Sequence, residues 1–141
     1  MLVPQTRTKP FHRSKNFVDL EKKLGQWIKD SNKIHICFYS APFGVVPIEL
    51  DEIYPLSQHE VALPLDKETM EHVTIQVADF INRANYEMVI LINDRENWKE
   101  SVVNSCRKAC LKKKIKFKLV NMGEKKMRTT LAQLERILKK N

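Results

Sequence analysis

Two short apolar runs, Ile34-His35-Ile36-Cys37-Phe38-Tyr39 and Met88-Val89-Ile90-Leu91-Ile92, constrain this chain most. Each is too short for a buried helix and too continuous for a half-exposed strand, so each reads as a strand covered on both faces. Around them apolar residues recur at helical spacing. Phe17, Leu20, Leu24, Trp27 and Ile28 trace one helix from an Asn16 cap to about residue 31. Met70, Val73, Val77, Phe80, Ile81 and Ala84 trace a longer one over about 66–85. The spacing predicts a further helix over about 98–113 and a last one on Met127, Leu131, Leu134 and Leu138. Ile115 to Val120 alternates Ile115, Phe117 and Leu119 with Lys116 and Lys118, the pattern of a strand with one solvated side. Glu60 to Leu63 reads as a further short strand, which Pro64 either confines to an edge or rules out. Strands separated by helices of this length pair in parallel through crossovers. The expected fold is therefore α/β: a single three-layer α/β/α sandwich with a mostly parallel sheet of about four strands.

With 141 residues the chain can bury one core and not two. Residues 1–16, rich in Pro, Lys, Arg and Thr and without apolar periodicity, read as a basic extended arm, and 17–141 as the single α/β domain. No apolar run approaches the roughly 18 residues of a membrane span, and the amino terminus is polar. No membrane partner is expected, and the chain reads as cytoplasmic. Its three cysteines, Cys37, Cys106 and Cys110, have no framework spacing, which suits a reducing compartment. Cys106 and Cys110 read as core residues of a helix, and no metal site is expected.

Charge is uneven along the chain. Residues 107–141 hold 13 Lys/Arg against two acids, a balance of +11, whereas residues 1–106 hold 12 against 15, a balance of −3. Such asymmetry suits a polyanion partner, most often nucleic acid, or else a Lys-rich solvated face that serves solubility; on the first reading Arg107, Lys108, Lys112, Lys113, Lys114, Lys116 and Lys118 are the expected nucleic-acid-binding residues, here for RNA.

Ligands of open α/β sheets lie outside the carboxyl ends of the strands. That selects two segments: Ser40 to Glu49, with Pro42, Gly44 and Glu49, and the turn beginning Asn93-Asp94. In the first, Pro47 is placed to open a short helix that Tyr54-Pro55 stops. In the second, Asp94 or Asn97 also suits a plain helix cap. The Gly spacings of a phosphate loop, a dinucleotide site or a nucleophile elbow do not occur, so no cofactor is expected. His35 and His72 read as structural, whereas His12 and His59 are freer to act.

Two segments resemble a known family. Ser40-Ala41-Pro42-Phe43-Gly44-Val45-Val46-Pro47-Ile48-Glu49-Leu50, followed by Tyr54-Pro55 and His59-Glu60, is similar to a pattern of the archaeosine synthase domain, related to archaeal tRNA-guanine transglycosylases. Within Pro4 to Phe17, Pro4, Lys9, Pro10 and Ser14 match a synthase signature in the same order. Gln5, Phe11 and Phe17 replace that signature's Cys, Tyr and His. The resemblance implies a fold like that of uracil-DNA glycosylases and an activity on tRNA: conversion of the nitrile of a 7-cyano-7-deazaguanine base towards the amidine. It implies Lys9, Ser14 and His59 as catalytic residues, and Pro10, Ser40, Pro42, Gly44, Glu49, Tyr54, Asn93 and Asp94 around the base. It also implies a protein partner supplying the transglycosylase-like or RNA-binding PUA parts. Two functions stay open: a catalytic or accessory subunit of archaeosine-type tRNA modification, and a non-catalytic RNA-binding module that keeps the fold. A glycosylase-like nucleoside enzyme is a third.

Overall fold

The computed structural model of the chain describes residues 1–5, 15–28, 33–41, 43–50, 65–122 and 127–139. Along them run β1 (Leu2–Pro4), α1 (Lys15–Trp27), β2 (Cys37–Ser40), β3 (Gly44–Pro47) and a 3-10 turn (Ile48–Leu50). There follow α2 (Lys67–Arg83), β4 (Met88–Asn93), α3 (Arg95–Trp98), α4 (Ser101–Lys113), β5 (Lys116–Asn121) and α5 (Met127–Lys139). The strands form one mixed five-stranded sheet in the order β3-β2-β1-β4-β5, all parallel but β3.

Two of the five strands depart from expectation. Leu2–Pro4, expected in an arm, is the central strand: Leu2 pairs with Cys37 on one side and Leu91 on the other. Three residues are too few to show a period. Pro4, which lacks an N–H, sits at the strand's last position, where pairing continues only to Tyr39 of β2. Gly44–Pro47, expected as a loop, turns back antiparallel along β2, with Ser40 opposite Gly44 and Cys37 opposite Pro47. The short helix expected from Pro47 is the 3-10 turn Ile48–Leu50 as far as the described residues go. The expected strand Glu60 to Leu63 lies outside them.

Helices lie on both faces of the sheet because buried side chains alternate along the strands. Cys37, Tyr39, Val89 and Leu91 join Val73, Val77 and Ile81 of α2, Trp98 of α3, and Val102, Cys106 and Cys110 of α4. Phe38, Ile90 and Ile92 join Phe17, Leu20 and Leu24 of α1 and Leu134 of α5. Cys106 and Cys110 are thus core residues, as their helical spacing suggests, whereas His72 is exposed. Asp66 caps α2 by accepting from the Thr69 N–H at 2.7 Å.

The hairpin between β2 and β3 depends on Gly44. Its φ is +85°, and a Cβ there would lie 2.6 Å from the Gln76 Cβ on α2. Gly44→Ala is expected to destabilise the fold by about 1–3 kcal/mol, measured as a lower urea midpoint at unchanged slope.

Candidate functional site at the carboxyl edge of the sheet

β1 leads through α1 to β2 on one side, whereas α2 carries the chain over to β4 on the other. α1, which follows β1, and α3 and α4, which follow β4, cover opposite faces. The loops after β1 and β4 therefore diverge, which makes the carboxyl ends of these neighbouring strands the topological switch point of the sheet.

Gln5, Ser40, Ala41, Asn93 and Asp94 meet at this edge. The Gln5 N–H donates to Tyr39 O at 3.0 Å, and the Ala41 N–H donates to Gln5 Oε1 at 2.7 Å. Gln5, which replaces the signature Cys, thus ties the end of β1 to the end of β2. Beneath it the Tyr39 hydroxyl donates to Ile92 O at 2.6 Å, and its ring meets Trp98 edge-on at 5.2 Å. Burial pushes the Tyr39 hydroxyl well above its ordinary pKa, so it acts as a fixed donor and not as an acid.

Ser40 is fully buried, and its Oγ–H donates to Ala41 O at 3.4 Å. Asp94 caps α3: the Asn97 N–H donates to Oδ1 at 3.4 Å and Asn97 Nδ2 donates to Oδ2 at 2.6 Å. Asn93 is fully buried; its Nδ2 donates to Lys99 O at 3.1 Å, while Oδ1 and the nearby Trp98 Nε1 have no hydrogen-bond partner among the described residues. Lys99 closes this corner at φ 52°, ψ −132°, a costly backbone for a residue with a Cβ. Buried polar groups left unpaired are few in native domains, and each calls for an explanation.

Glu49 does not belong to this edge. Because β3 runs antiparallel, Pro47 pairs with Cys37 at the start of β2, and the following turn carries Glu49 to the amino edge. There His35 Nδ1 bonds the Tyr86 hydroxyl at 2.5 Å, and His35 Nε2 bonds Glu49 Oε2 at 3.3 Å. A hydrogen bond donated by Glu49's own backbone N–H to its carboxylate, helped by the His35 ring, holds the carboxyl below the usual carboxylate range. The Ser40 to Glu49 segment is therefore split between opposite ends of the sheet. Lys9, Pro10, Ser14, Pro42, Tyr54 and His59 lie outside the described residues.

The basic residues spread around the β5 side. Arg107, Lys108 and Lys112 are exposed on α4, over one face of the sheet. Lys116 and Lys118 are exposed on β5 and alternate with Phe117 and Leu119, which pack towards α4. They therefore sit on the opposite face. Arg107 lies over the Phe117 ring at 5.6 Å. Lys113 is already engaged: its Nζ donates to Asn82 O at 2.8 Å and Ala84 O at 2.6 Å, closing the carboxyl end of α2. Lys114 takes the left-handed φ of 58° that ends α4.

Among the described residues no three His, Cys, Asp or Glu side chains converge on a possible metal position, and no helix is long and apolar enough to cross a membrane. All three thiols are buried. Burial raises Cys37 from the usual 9.0 to about 11. A raised folded-state pKa adds stability below the unfolded value, so this contribution is whole below about pH 9 and lost as pH climbs towards about 11. Between about pH 8 and about pH 10.5 Cys37 is expected to contribute a loss of roughly 2 kcal/mol in urea unfolding, so Cys37→Ala shrinks the pH-dependent loss by about that much, while the buried Cys106 and Cys110, also raised by burial, keep the rest.

The switch-point edge and the helices on both faces define an open α/β domain of the doubly wound class. The chain belongs to the family described as DUF5591, a domain of unknown function, which matches residues 1–138. It is also similar to proteins named tRNA-guanine(15) transglycosylase. The identity is 34% over 76 residues for that of Saccharolobus solfataricus and 34% over 62 for that of Methanobrevibacter smithii. For that of Pyrobaculum aerophilum it is 37% over 59 residues. These stretches cover 53%, 44% and 42% of this chain and 15%, 9% and 11% of those relatives. The chain thus spans a small part of the length of those relatives. Its fold is similar to that of AF0587, a protein of unknown function seen in a crystal structure: TM-score 0.60, 18% identity, 97% of this chain and 43% of that one.

Proposed function

We propose that this domain serves archaeosine-type tRNA modification, as a catalytic or accessory subunit in converting the nitrile of a 7-cyano-7-deazaguanine base in tRNA towards the amidine. The observation that carries the reading is the similarity to three proteins named tRNA-guanine(15) transglycosylase, within a family match over 1–138. In this reading tRNA is the substrate, and a protein partner supplies the transglycosylase-like or PUA parts. The likeness to uracil-DNA glycosylases belongs to the same proposal.

Addition to a nitrile needs a neutral amine, a donor to the developing imine nitrogen and a pocket for the base. The described part of the carboxyl edge supplies a frame for this: buried Asn93 and Ser40, the capping Asp94, and Gln5 where the chain leaves β1. It supplies no free acid or base, since Asp94 is spent on its cap and the Tyr39 proton on Ile92 O. Proton transfer would fall to Lys9, Ser14 and His59. The same observation favours the second reading, a non-catalytic RNA-binding module.

The test is tRNA binding, and nitrile conversion with the partner present, in the wild type and in Lys9→Ala, Ser14→Ala and His59→Ala. Variants that bind tRNA yet convert nothing make the domain catalytic; undiminished conversion makes it accessory. A wild-type chain that binds no tRNA contradicts both.

A further inference from the structure

A cavity of about 370 Å³ opens at the amino edge of the sheet, the end opposite the switch point. That is the size range of small-molecule subsites. Lys33, His35, Asn85, Tyr86, Glu87 and Met88 line it, with Ile90 and Leu138 among its apolar wall. None of these residues takes part in the carboxyl-edge site.

Three features give it a chemical character. The first is a pair of fixed rings. His35 and Tyr86 lie 6.0 Å apart at 40°, and one hydrogen-bonded chain holds both. An ionised Glu49 can only accept, so the His35 Nε2–H donates to it and Nδ1 accepts from the Tyr86 hydroxyl. Rings already held in place lose little freedom when a flat ligand stacks on them. The second feature is positive charge on two sides. Lys33 is exposed on one wall; just outside the lining on the other side, the exposed Lys116 begins β5, pairs in register with Met88, and its N–H donates to Glu87 O at 3.2 Å. The third is a polar rim, the exposed side chains of Asn85 and Glu87. Glu87 accepts only, which favours a ligand edge bearing N–H donors.

Aromatic surface beside cations is the recognition chemistry of unpaired nucleotides. We infer that this amino-edge cavity is a subsite for one unpaired nucleotide of a bound RNA, an inference that rests on the tRNA reading above. The base stacks against Tyr86 and His35, Asn85 and Glu87 meet its N–H edge, and Lys33 and Lys116 take the flanking phosphates.

The experiment is fluorescence anisotropy of the full chain with folded tRNA and with a short unstructured RNA, followed by photo-cross-linking with 4-thiouridine-substituted RNA. Tyr86→Leu is expected to weaken binding about tenfold or more, and Tyr86→Phe, which keeps the ring, to stay within about twofold of wild type. Lys33→Gln and Asn85→Ala, at exposed positions that leave the fold intact, are expected to weaken it several-fold, and cross-links are expected on the peptide bearing Tyr86. If Tyr86→Leu fails to fold, the Lys33 and Asn85 variants decide the matter. RNA binding that is unchanged in these variants, with cross-links elsewhere, overturns the subsite and leaves the tRNA reading standing. No RNA binding by the wild type overturns both.

Discussion

Trp98→Ala is expected to remove about 3–5 kcal/mol of folding stability, and to lower the melting temperature by roughly 10–20 °C. Trp98 is fully buried and heads the largest side chains of the core. It ends α3 and closes the cluster of Tyr39, Leu91, Val102 and Cys106, so its loss leaves a cavity that four elements would have to collapse into. The edge-on contact with Tyr39 adds to the cost. Natural domains hold only about 5–15 kcal/mol in total, so the variant should sit near the limit of folding. Because Trp98 Nε1 has no partner among the described residues, Trp98→Phe gives up no hydrogen bond there and is expected to cost clearly less. Thermal and urea unfolding by circular dichroism measure both. A loss below about 1 kcal/mol for the alanine variant would mean that Trp98 does not hold this corner.

The second large effect is expected in RNA binding. In the proposed function, phosphates run along the β5 side, and Lys112→Gln, Lys114→Gly, Lys116→Gln and Lys118→Gln together should lower tRNA affinity by about 100-fold at low salt and flatten its logarithmic salt dependence by about 3–4. Lys114 is best replaced by glycine. Its left-handed φ then suits the residue, so the charge is lost without weakening the end of α4. Lys113 is left in place, because its ammonium closes α2 and its loss would confuse binding with stability. The measurement is anisotropy over a salt series. Parallel salt plots for variant and wild type would remove the β5 side from the interface.

What could be read from residues alone followed from strong periods. The runs ending at Tyr39 and Ile92 became β2 and β4, and Val73, Val77 and Ile81 became the buried stripe of α2. The pattern of Ile115 to Val120 held as β5, save that Val120 is buried. β1 and β3 have no legible pattern, because strands of three and four residues show no period and both end in proline. Of the two, β3 decides where Glu49 lies. With β3 read as a loop, Glu49 belongs beside Ser40; with β3 antiparallel, it reaches His35 at the other end of the sheet. The contact of His35 with Tyr86, 51 residues apart, leaves no local trace, and His35 read as a structural strand residue. Asp94, by contrast, is the plain helix cap that its position allows.

The central claim, a role in archaeosine-type tRNA modification, is tested most directly by mass spectrometry of nucleosides from the total tRNA of cells lacking this protein. The account predicts that the archaeosine amidine falls and its 7-cyano-7-deazaguanine precursor accumulates, with both restored by the wild-type chain. An unchanged nucleoside profile, with archaeosine at its normal level, would contradict it.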